Sequence, residues 1–492
     1  MSLIPLDIPP GARRIGTDIQ ASGRWRDMNL VRWREGTIRP VGGWRVRANN
    51  AFSSLPRALH VWQDNSADHH VAAGAFDALY HVSPSNTVVD ITPVGLTSGN
   101  LDAVVNTGYG GGFYGLSFYG TERQDAGSFS EATTWSLDNF GQYLVACSTA
   151  DGKLYEWQLN TGTPAAAISG APTGNLALVV TEERFLMALG SGGNPRLVKW
   201  CDREDNTTWT EAATNEAGEQ ELQTSGQIMT GIRTKGQTLI VTDTDAHAAT
   251  YQGPPFVYGF ERVGTSCGLA SRKAIAAVDD GVFWMGHNGF FQFTGTNVNE
   301  LPCEIADYVF GDMNKSQISK SWAVANAQHG EIWFFYASGA SNEVDRYAVL
   351  DYKEGHWGFG QLDRTCGADR SVFRYPFWVD STGDMLEHEV GLNYDGAAIF
   401  AETGPISLGA GDNIMSVNKL YPDEVTQGDV TVTFKTRNYP NDTEASHGPF
   451  TMSNPVSVRF TGRQIRMRLD GNVLSDWRVG VNRVDAHQRG VR

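Results

Sequence analysis

The sequence predicts an all-β protein, a β-propeller-like repeat of four-stranded blades with an N-terminal arm and a C-terminal β-sandwich-like module. Three observations support this fold class. Glycine accounts for 55 of the 492 residues, well above a usual share of roughly 7%. Aromatic residues make up 11% of the chain, and one hairpin-like unit recurs through its middle. Many short strands joined by tight turns account for all three observations, whereas a helical bundle does not.

The recurring unit is a turn residue, an alternating apolar strand, a small-residue turn and a second strand that ends in an aromatic or bulky residue. Its copies span residues 68–82, 141–157, 183–200, 236–251, 281–293 and 330–350. From the second copy on, the starting points lie 42, 53, 45 and 49 residues apart. A four-stranded propeller blade takes about 40 to 50 residues, so the spacing favours a propeller.

Each copy has the local chemistry of a β-hairpin. Asp151-Gly152 and Asn288-Gly289 supply the positive-φ positions that two-residue hairpin turns require. Because a lone hairpin is only marginally stable, several must stack or close into a ring, and a closed ring leaves fewer exposed sheet edges. We therefore predict five to seven blades, with a stacked β-sandwich as the alternative.

Three regions are predicted along the chain. Residues 1–50 lack the hairpin period and are expected to form an Arg-rich N-terminal arm or an irregular strand segment. Residues 51–400 form the propeller-like region, which contains an insertion of unassigned role over residues 83–135. Residues 401–492 form the C-terminal β module with an Arg-rich end.

Longer strands are predicted in the C-terminal module, over residues 430–438, 456–469 and 477–484. In the second of them, apolar residues alternate with polar ones. This alternation predicts one buried face and one Arg-bearing face. The apolar set is Val456, Val458 and Phe460, and the polar set is Ser457, Arg459 and Thr461.

Charge is unevenly distributed along the chain. The net charge of −16 combines +5 over residues 1–50, −26 over the middle and +5 over residues 455–492. The acidic total argues against a protein that clamps nucleic acid. All seventeen cations of the two ends are Arg, which suits partly buried bidentate pairing better than Lys does. The ends form either ordinary surface salt bridges or a docking segment on acidic surface, of this chain or of a neighbouring copy.

Targeting signals are not recognisable in the sequence. The first sixteen residues lack the positive-then-apolar order of a signal peptide, and no run approaches 18 apolar residues. The five cysteines are widely spaced and form no CxxC pair, so we expect folding in a reducing cytoplasm. They are Cys147, Cys201, Cys267, Cys303 and Cys366.

Two motifs resemble catalytic or phosphate-binding patterns. Residues 264–268, with Ser266 at the centre, satisfy the GxSxG pattern of a nucleophile elbow. That chemistry needs a strand before the serine and a helix after it, whereas here the chain runs into the next predicted blade, so a blade-linking loop is favoured. The glycine-rich residues 108–115 mimic a phosphate-binding loop, but a strand-like aromatic segment follows them instead of a helix.

A third motif offers metal-ligand atoms at alternate positions. Asp243, Asp245 and His247 would share one face of a strand. They also sit at a predicted hairpin turn, where Asp is favoured for bonding to the local backbone. Metal binding at these residues is therefore left open.

Several longer segments resemble a known family. They are Gly23-Arg-Trp25, residues 29–44 (NLVRWREGTIRPVGGW), residues 280–295 (DGVFWMGHNGFFQFTG), residues 460–471 (FTGRQIRMRLDG), residues 477–481 (WRVGV) and Arg489-Gly490. They are similar, in order, to segments of the tail nozzle or tail hub proteins of short-tailed bacteriophages, also called packaged-DNA stabilisation proteins. The insertion at 83–135 and the loop at 108–115 have no counterpart in that pattern.

The resemblance implies a structural virion protein of the phage tail, made in the host bacterial cytoplasm. Subunits would form a homo-oligomeric ring, with six members expected, below the portal and head–tail adaptor and near tail fibre or needle proteins. The ring would retain packaged double-stranded DNA and conduct it at ejection, without a catalytic residue, cofactor, metal or integral membrane contact. The positions that match the family's segments are expected to act in folding and ring assembly: Asn29, Arg32, Gly43, Trp44, Arg463, Arg466, Trp477 and Arg478.

Charge and resemblance lead to one hypothesis on mechanism. A pore that lets DNA slide should not grip phosphates, and the −26 of the middle region has the sign that repels a polyanion. Two other classes remain open. One is a propeller-type hydrolase or lyase acting on a polysaccharide or an ester, and the other is a propeller scaffold that binds peptides.

Overall fold

The computed structural model describes residues 2–49, 51–105, 129–407 and 413–490. Within these ranges the chain is almost entirely β, which confirms the predicted fold class. The helices there are short: α1 (Ala306–Asp312) and the 3-10 turns Ile19–Ala21, Ser191–Gly193 and Lys315–Lys320. None of the helices in these ranges has the length and apolar character needed to cross a membrane. The glycine-rich loop of residues 108–115 lies outside the described residues.

Five strands precede the repeating sheets. They are β1 (Ser2–Leu6), β2 (Trp25–Asn29), β3 (Val31–Arg34), β4 (Thr37–Pro40) and β5 (Trp44–Ala48). Strands β3 and β4 pair with each other as a short hairpin.

Seven four-stranded antiparallel sheets then follow along the described chain, and we call them blades 1 to 7. Blade 1 is β6 (Pro56–Gln63), β7 (His69–Ala75), β8 (Leu79–Val82) and β9 (Val88–Asp90). A two-stranded pair follows it, β10 (Val104–Val105) with β11 (Phe129–Ser130). Blade 2 is β12 (Trp135–Phe140), β13 (Tyr143–Ser148), β14 (Leu154–Trp157) and β15 (Ala166–Ala167). Blade 3 is β16 (Ala177–Val180), β17 (Leu186–Leu189), β18 (Leu197–Trp200) and β19 (Gly218–Glu221).

Blades 4 to 6 repeat the same meander. Blade 4 is β20 (Ile228–Thr234), β21 (Gln237–Thr242), β22 (Asp245–Gly253) and β23 (Val257–Thr265). Blade 5 is β24 (Ile275–Val278), β25 (Gly281–Met285), β26 (Phe290–Phe293) and β27 (Val298–Leu301). Blade 6 is β28 (Trp322–Asn326), β29 (Glu331–Tyr336), β30 (Arg346–Asp351) and β31 (His356–Gln361).

Blade 7 closes the ring and is built from both ends of the propeller region. Its first three strands are β32 (Cys366–Ala368), β33 (Phe377–Val379) and β34 (Met385–His388), and its fourth is β5. Trp44 pairs with His388 and Arg45 with Glu387, so the two sequence-distant segments complete one sheet. The first strand of each blade packs on the first strand of the next, and β32 of blade 7 packs back on β6 of blade 1. The result is a closed seven-bladed β-propeller.

The predicted hairpins correspond to the second and third strands of blades 1 to 6. At Asp151-Gly152 the turn prediction is correct only for the φ of Gly152, which is +64°, because β13 and β14 are joined by five residues and not by a two-residue turn. It is wrong at Asn288-Gly289, where β25 and β26 are joined by four residues and neither of these two has a positive φ. The N–H of Gly286 donates to the carbonyl of Gly289 at 2.8 Å, so this longer loop closes without a two-residue turn.

The C-terminal module comprises two packed sheets. Its strands are β35 (Phe400–Thr403), β36 (Ile406–Ser407), β37 (Ile414–Tyr421), β38 (Val430–Arg437), β39 (Ala445–Thr451), β40 (Val456–Gly462), β41 (Gln464–Gly471) and β42 (Asn482–Gly490). One sheet has the order β1-β42-β37-β40, and the other has the order β2-β35-β41-β38-β39, with β36 beside β41. Phe434 and Phe460 face each other from the two sheets with ring centroids 4.9 Å apart.

The predicted strand over 456–469 is in fact two strands in different sheets. In β40 the buried positions are even-numbered, Val458 and Phe460, which confirms the predicted alternation. In β41 they are odd-numbered, Ile465, Met467 and Leu469. Since side chains alternate along a strand, a change of parity at residue 463 indicates that the strand is interrupted there, and the pairing shows that the chain leaves one sheet and enters the other.

The predicted strand over 477–484 is also wrong in its first half. β42 begins only at Asn482, and residues 477–481 run beside the β3–β4 hairpin instead. Val479 exchanges two backbone hydrogen bonds of 3.0 Å with Ile38. The backbone N–H and carbonyl of Val479 are thus paired although the residue lies outside a regular sheet.

The N-terminal segment and the core connect the two modules. Residues 1–50, for which we predicted an arm or an irregular strand segment, are paired through β1 and β2 with the C-terminal module and through β5 with blade 7. The largest hydrophobic cluster runs without a break from the N-terminal strands through blades 5 to 7 into both C-terminal sheets. The propeller and the C-terminal module therefore share a core.

Candidate functional site

An axial cavity lies where the seven first strands converge. It encloses about 340 Å³ and takes part of its wall from every blade. We call it the axial cavity and define it by six polar residues of its wall: Arg57, His60, Asp138, Arg233, Lys273 and Cys366. This many polar groups is unusual for the interior of a β-sheet protein, so their partners decide what the cavity can do.

Most of the charges in the axial cavity are paired within the chain. The two terminal nitrogens of Arg57 each lie 2.7 Å from an oxygen of Glu343. Arg233 donates to Asp138 Oδ1 at 2.9 Å, and Asp138 Oδ2 accepts the backbone N–H of Val180 at 2.9 Å. These contacts leave the two arginines and the aspartate locally neutralised.

Lys273 is the exception. No carboxylate oxygen in the described part of the chain lies within 4.0 Å of its ammonium group. Burial lowers the pKa of Lys273 to about 8, against the opposing effect of Asp138. The neighbouring Arg272 turns away from it and donates to the carbonyls of Ile228 and Met229 at 3.2 and 2.9 Å. Lys273 is thus a cation held in a cavity without a fixed counterion.

Two further titratable groups of the axial cavity, His60 and Cys366, are held neutral. Burial lowers the pKa of His60, whose Nε2 lies 3.2 Å from Asn139 Oδ1 and whose ring stacks on Trp62. Burial also raises the pKa of the Cys366 thiol to about 12. At neutral pH the cavity therefore presents a neutral imidazole, a neutral thiol and the charge of Lys273.

A second, more open groove of about 640 Å³ lies between blades 4 and 5 and contains the GxSxG motif. Ser266 follows the end of β23 with φ at +56°, is exposed, and shares the groove with His287 and Glu300. Residues 266–274 lead to β24 without forming a helix, so the strand–turn–helix context of a nucleophile elbow is missing here. In the part of the chain that the structure describes, Ser266 Oγ is not hydrogen-bonded to a histidine.

Only two of the three alternate ligand residues come together. Asp245 Oδ1 lies 3.2 Å from His247 Nε2, and it accepts a hydrogen bond of 2.6 Å from the hydroxyl of Thr242. Asp243 instead accepts the backbone N–H of Gln227 at 2.9 Å. The carboxylate oxygen that a metal would need is thus already used by a hydroxyl, and metal binding here remains untested.

Another cluster of ligand atoms lies at the end of blade 6. Asp351, Glu354 and His356 place their ligand atoms within 4.8 Å of one another. Asp351 Oδ1 accepts the backbone N–H groups of Lys353 and Glu354 at 2.9 and 2.8 Å. The position of the Asp351 carboxylate is therefore explained by its hydrogen bonds to the backbone of the turn between β30 and β31.

Arg32, one of the positions expected in folding and assembly, lies at a buried ion cluster. Its Nε lies 2.8 Å from Glu331 Oε1, and its NH2 lies 2.5 Å from Glu389 Oε1. The three side chains are between 4 and 7% exposed. Burial alone would raise the pKa of Glu389, but the charges and hydrogen bonds of Arg32 and His329 hold it well below its usual value.

Three further positions of the N-terminal segment surround Arg32 and complete what we call the joint, residues 29–44 with their partners in blades 6 and 7. The Asn29 amide donates to the Ala398 carbonyl at 2.7 Å, and its oxygen accepts the Gln361 N–H at 2.8 Å. The N–H of Gly43 donates to the Gly391 carbonyl at 2.9 Å. The indole of Trp44 donates to Asp395 at 2.6 Å. A Cβ on Gly43 would lie 2.5 Å from the Asn393 carbonyl oxygen, so no larger residue fits.

The four C-terminal positions lie on the C-terminal module, and two of them, Trp477 and Arg478, belong to the segment that runs beside the β3–β4 hairpin of the joint. Arg466 is bound by Asp18 and lies 2.7 Å from Glu444. The guanidinium of Arg463 lies 5.4 Å from the ring centre of Tyr439. The two remaining positions differ sharply in exposure: Trp477 is fully buried, while Arg478 is about half exposed and lies 2.8 Å from Asp476. Their part in ring assembly stays a prediction.

The Arg-rich N-terminal segment docks on acidic residues of its own chain. Seven of the nine Arg in residues 1–50 lie within 4.0 Å of a carboxylate in the described residues. Their propeller partners are Glu304, Glu331, Glu387 and Glu389. The N-terminal arginines therefore contact acidic surface of this chain, one of the two docking surfaces that the sequence left open, and contact with a neighbouring copy stays a prediction.

Sequence reasoning did not find the residues of the axial cavity. Asp138 and Arg233 are charged residues in otherwise uncharged first strands, and that break was the available signal. Because the charged residues of the cavity come one or two at a time from blades 1, 2 and 4 and from the segment before blade 5, no local spacing marks them as a group.

No protein-family model matches the chain, and no curated protein matches it. Among solved structures, the chain is similar to a streptogramin B lyase at 9% identity and a TM-score of 0.42, over 70% of this chain and 97% of that one. It is also similar to a catalytically inactive variant of virginiamycin B lyase from Staphylococcus aureus with quinupristin, at 8% identity and a TM-score of 0.39, over the same shares.

Proposed function

We propose that the chain is a structural subunit of a bacteriophage tail, a nozzle protein that forms a six-membered ring below the portal and adaptor. The ring retains packaged double-stranded DNA and conducts it at ejection, and tail fibre or needle proteins lie nearby. The observation that carries the proposal is an acidic face of the propeller, together with the resemblance of the joint segment to nozzle proteins.

The acidic face is formed by the turns between the first and second strands of the blades. In a closed ring of identical meanders these turns all lie at the same end of the propeller. Their exposed acids are Asp68, Glu182, Asp279 and Asp280, and their exposed cations are Arg184, Lys235, Arg370 and Arg374. The partly buried Asp64, Glu183 and Asp369 bring the seven turns to seven acidic and four basic residues, a net charge of −3. Such a face repels DNA phosphates instead of binding them, which is what a conduit needs.

The joint supports the same role. Nozzle-like segments of the sequence coincide with the residues that fasten blades 6 and 7 to the C-terminal module, Arg32 and Asn29 among them. A protein that contains pressurised DNA benefits from two modules that move as one body, because a shared core resists relative displacement better than a linker does.

Electron microscopy of assembled particles tests the proposal directly. We expect a ring of this chain at the tail, with the acidic face toward the DNA path. Particles assembled without the protein are expected to lose DNA, and added protein is expected to restore retention. A ring whose lumen is lined mainly by Lys and Arg would contradict the acidic-wall mechanism, and particles that retain and eject DNA normally without the protein would contradict the nozzle role.

A surface variant tests ring assembly. Arg478 is about half exposed, so Arg478→Glu reverses a surface charge without disturbing the core. If Arg478 contacts a neighbouring subunit, this variant forms fewer rings by mass photometry. Arg184→Glu is the matched control, because Arg184 is an exposed arginine of blade 3 with a single acidic partner, Glu204. Equal ring formation by both variants would remove Arg478 from the interface.

A propeller-type hydrolase or lyase is the second candidate, favoured by one observation. Ser266 lies exposed at positive φ within a GxSxG motif and beside His287 in the groove. A serine activated for acyl transfer reacts with a fluorophosphonate probe, so labelling at Ser266 with loss in Ser266→Ala would support an esterase. Ser225→Ala, in the same groove, is the control. Absence of labelling would leave this candidate without support.

A further inference from the structure

We infer that the axial cavity is a binding site for a small oxyanion, a carboxylate or a sulfate- or phosphate-like group, anchored by Lys273. The inference is independent of the proposed tail function, since it rests on the inside of the propeller and not on its outer surface.

The first step is a charge count within the cavity. Arg57 is satisfied by two contacts of 2.7 Å with Glu343, and Arg233 is held 2.9 Å from Asp138. Lys273 has no carboxylate within 4.0 Å in the described chain. One positive charge is left over, and it faces the enclosed space.

The second step concerns the energy of that charge. A cation removed from bulk water is disfavoured unless an anion or several dipoles compensate it, and attraction between opposite charges is several times stronger here than in water. Burial lowers the pKa of Lys273 to about 8, which is the signature of incomplete compensation. An anion that enters the cavity supplies the missing charge.

The third step is the presence of additional donors. The hydroxyl of Thr230, a 7% exposed residue of the cavity wall, has no hydrogen-bond partner in the described part of the chain. Arg233 uses one terminal nitrogen on Asp138, and its side chain is 40% exposed, so its other N–H groups remain available at the cavity mouth. An ammonium, a hydroxyl and a guanidinium edge are the groups that proteins use to hold carboxylates and phosphates.

The fourth step is the pH dependence. Charged and titratable groups face Lys273 from each element around it: Arg57 and His60 of β6, Asp138 of β12, Arg233 of β20, Arg272 beside it and Cys366 of β32. Burial keeps His60 and Cys366 neutral above pH 7. Lys273 is therefore the group that changes charge between pH 7 and pH 9. Because the charged form exists below a pKa of about 8, anion affinity is expected to fall about tenfold over this interval.

Titration calorimetry with sodium sulfate and with sodium succinate tests the inference, since neither probe titrates between pH 7 and pH 9. We expect saturable binding at millimolar concentration or below, weakened at least tenfold in Lys273→Met. Lys353→Met is the matched control, because Lys353 is exposed on the β30–β31 turn, and it should bind like the parent protein. Preference for sulfate or for succinate distinguishes a phosphate-like from a carboxylate ligand.

A measurement on the unaltered protein guards against misfolding of the variant. The partly neutral amine of Lys273 should be acetylated by an N-hydroxysuccinimide ester, and bound sulfate should slow acetylation at Lys273 but not at Lys353. Binding that persists in a folded Lys273→Met, a parent protein with no saturable uptake of either anion, or acetylation indifferent to sulfate would each overturn the inference.

Discussion

Replacing Arg32 by methionine should destabilise the protein more than any surface charge variant. Methionine keeps much of the length and volume of the side chain but removes the guanidinium that lies between Glu331 and Glu389. Two carboxylates, 4 and 7% exposed, would then face each other without their common counterion. Breaking a buried ion pair from one side costs more than the pair itself contributes, because an uncompensated charge stays behind.

The magnitude follows from what remains around the carboxylates. Trp333 still donates to Glu331 at 3.0 Å. Glu389 keeps the Asn326 amide at 2.8 Å, the Gly42 N–H at 3.0 Å and His329 at 3.3 Å, so Glu331 is the carboxylate with the fewer remaining partners. Loss of one partner of a buried pair costs about 3 to 5 kcal/mol, and we expect Arg32→Met to fall in that range. Adding Glu331→Gln to Arg32→Met should recover part of the loss, because it removes one of the two stranded charges.

Urea unfolding followed by tryptophan fluorescence measures the free energy of unfolding of each variant. Arg478→Met is the control, because an exposed pair such as Arg478–Asp476 contributes about 0 to 1 kcal/mol. A loss below about 1 kcal/mol for Arg32→Met would refute the reasoning, because the cluster would then be no more than a surface pair energetically.

The same variant has a predictable pH dependence. In the native protein the pKa of Glu389 is depressed, so its contribution to stability exists above its unfolded pKa and disappears as pH falls through the folded value. Without Arg32, burial and mutual repulsion raise the pKa of both carboxyl groups in the folded state. A raised folded pKa adds stability as pH falls, so the deficit of Arg32→Met should be largest at pH 7 and smaller near pH 5.

Three further predictions test packing, turn geometry and thiol burial. Trp477→Ala should cost about 3 to 5 kcal/mol in urea unfolding, since the side chain is fully buried, whereas Val473→Ala at a 47% exposed site should cost little; equal effects would contradict the assigned burial. Gly152→Ala should cost at least about 1 kcal/mol more than Gly141→Ala. Both glycines have φ near +63°, but only at Gly152 would a Cβ meet backbone atoms, at 2.8 Å; equal costs would show that φ alone matters. Burial raises the pKa of all five thiols to about 11 or 12, so iodoacetamide at pH 8 should modify them far faster in urea than in the native protein; a thiol that reacts equally in both states would be wrongly placed.

The sequence predicted the parts of the fold that are local. The second and third strands of blades 1 to 6 follow each other along the chain with connections of two to nine residues, so alternation and turn residues reveal them within one window. The pairing that forms blade 7 was not predicted, because its fourth strand is Trp44–Ala48 while its first three strands begin at Cys366. Pairing between segments so far apart leaves no mark on either one.

The candidate site could not be predicted from the sequence, for the same physical reason. The axial cavity exists only where seven first strands meet, and Arg57, Asp138 and Lys273 come from three separate blades or blade links. In the sequence, each of these residues is a single charged residue in or beside an apolar strand, and this pattern does not indicate a site. The change of parity between Phe460 and Ile465, by contrast, is a local pattern that the prediction of one strand over 456–469 overlooked, and it indicates a break in that strand.

Ion pairing within the chain also determines how much of the negative charge of the middle region is exposed. Part of its −26 is neutralised at the joint, where N-terminal arginines meet Glu331, Glu387 and Glu389. Within the described residues no N-terminal arginine pairs with Asp279 or Asp280, and both stay exposed at one end of the propeller. The negative charge that can act on DNA is therefore concentrated at one end of the propeller, and the net charge of the chain does not show this distribution. If the ring conducts DNA, we expect the acidic face to be oriented toward its axis, because the arginines of the joint are already paired with carboxylates while the turns carry the exposed negative charge.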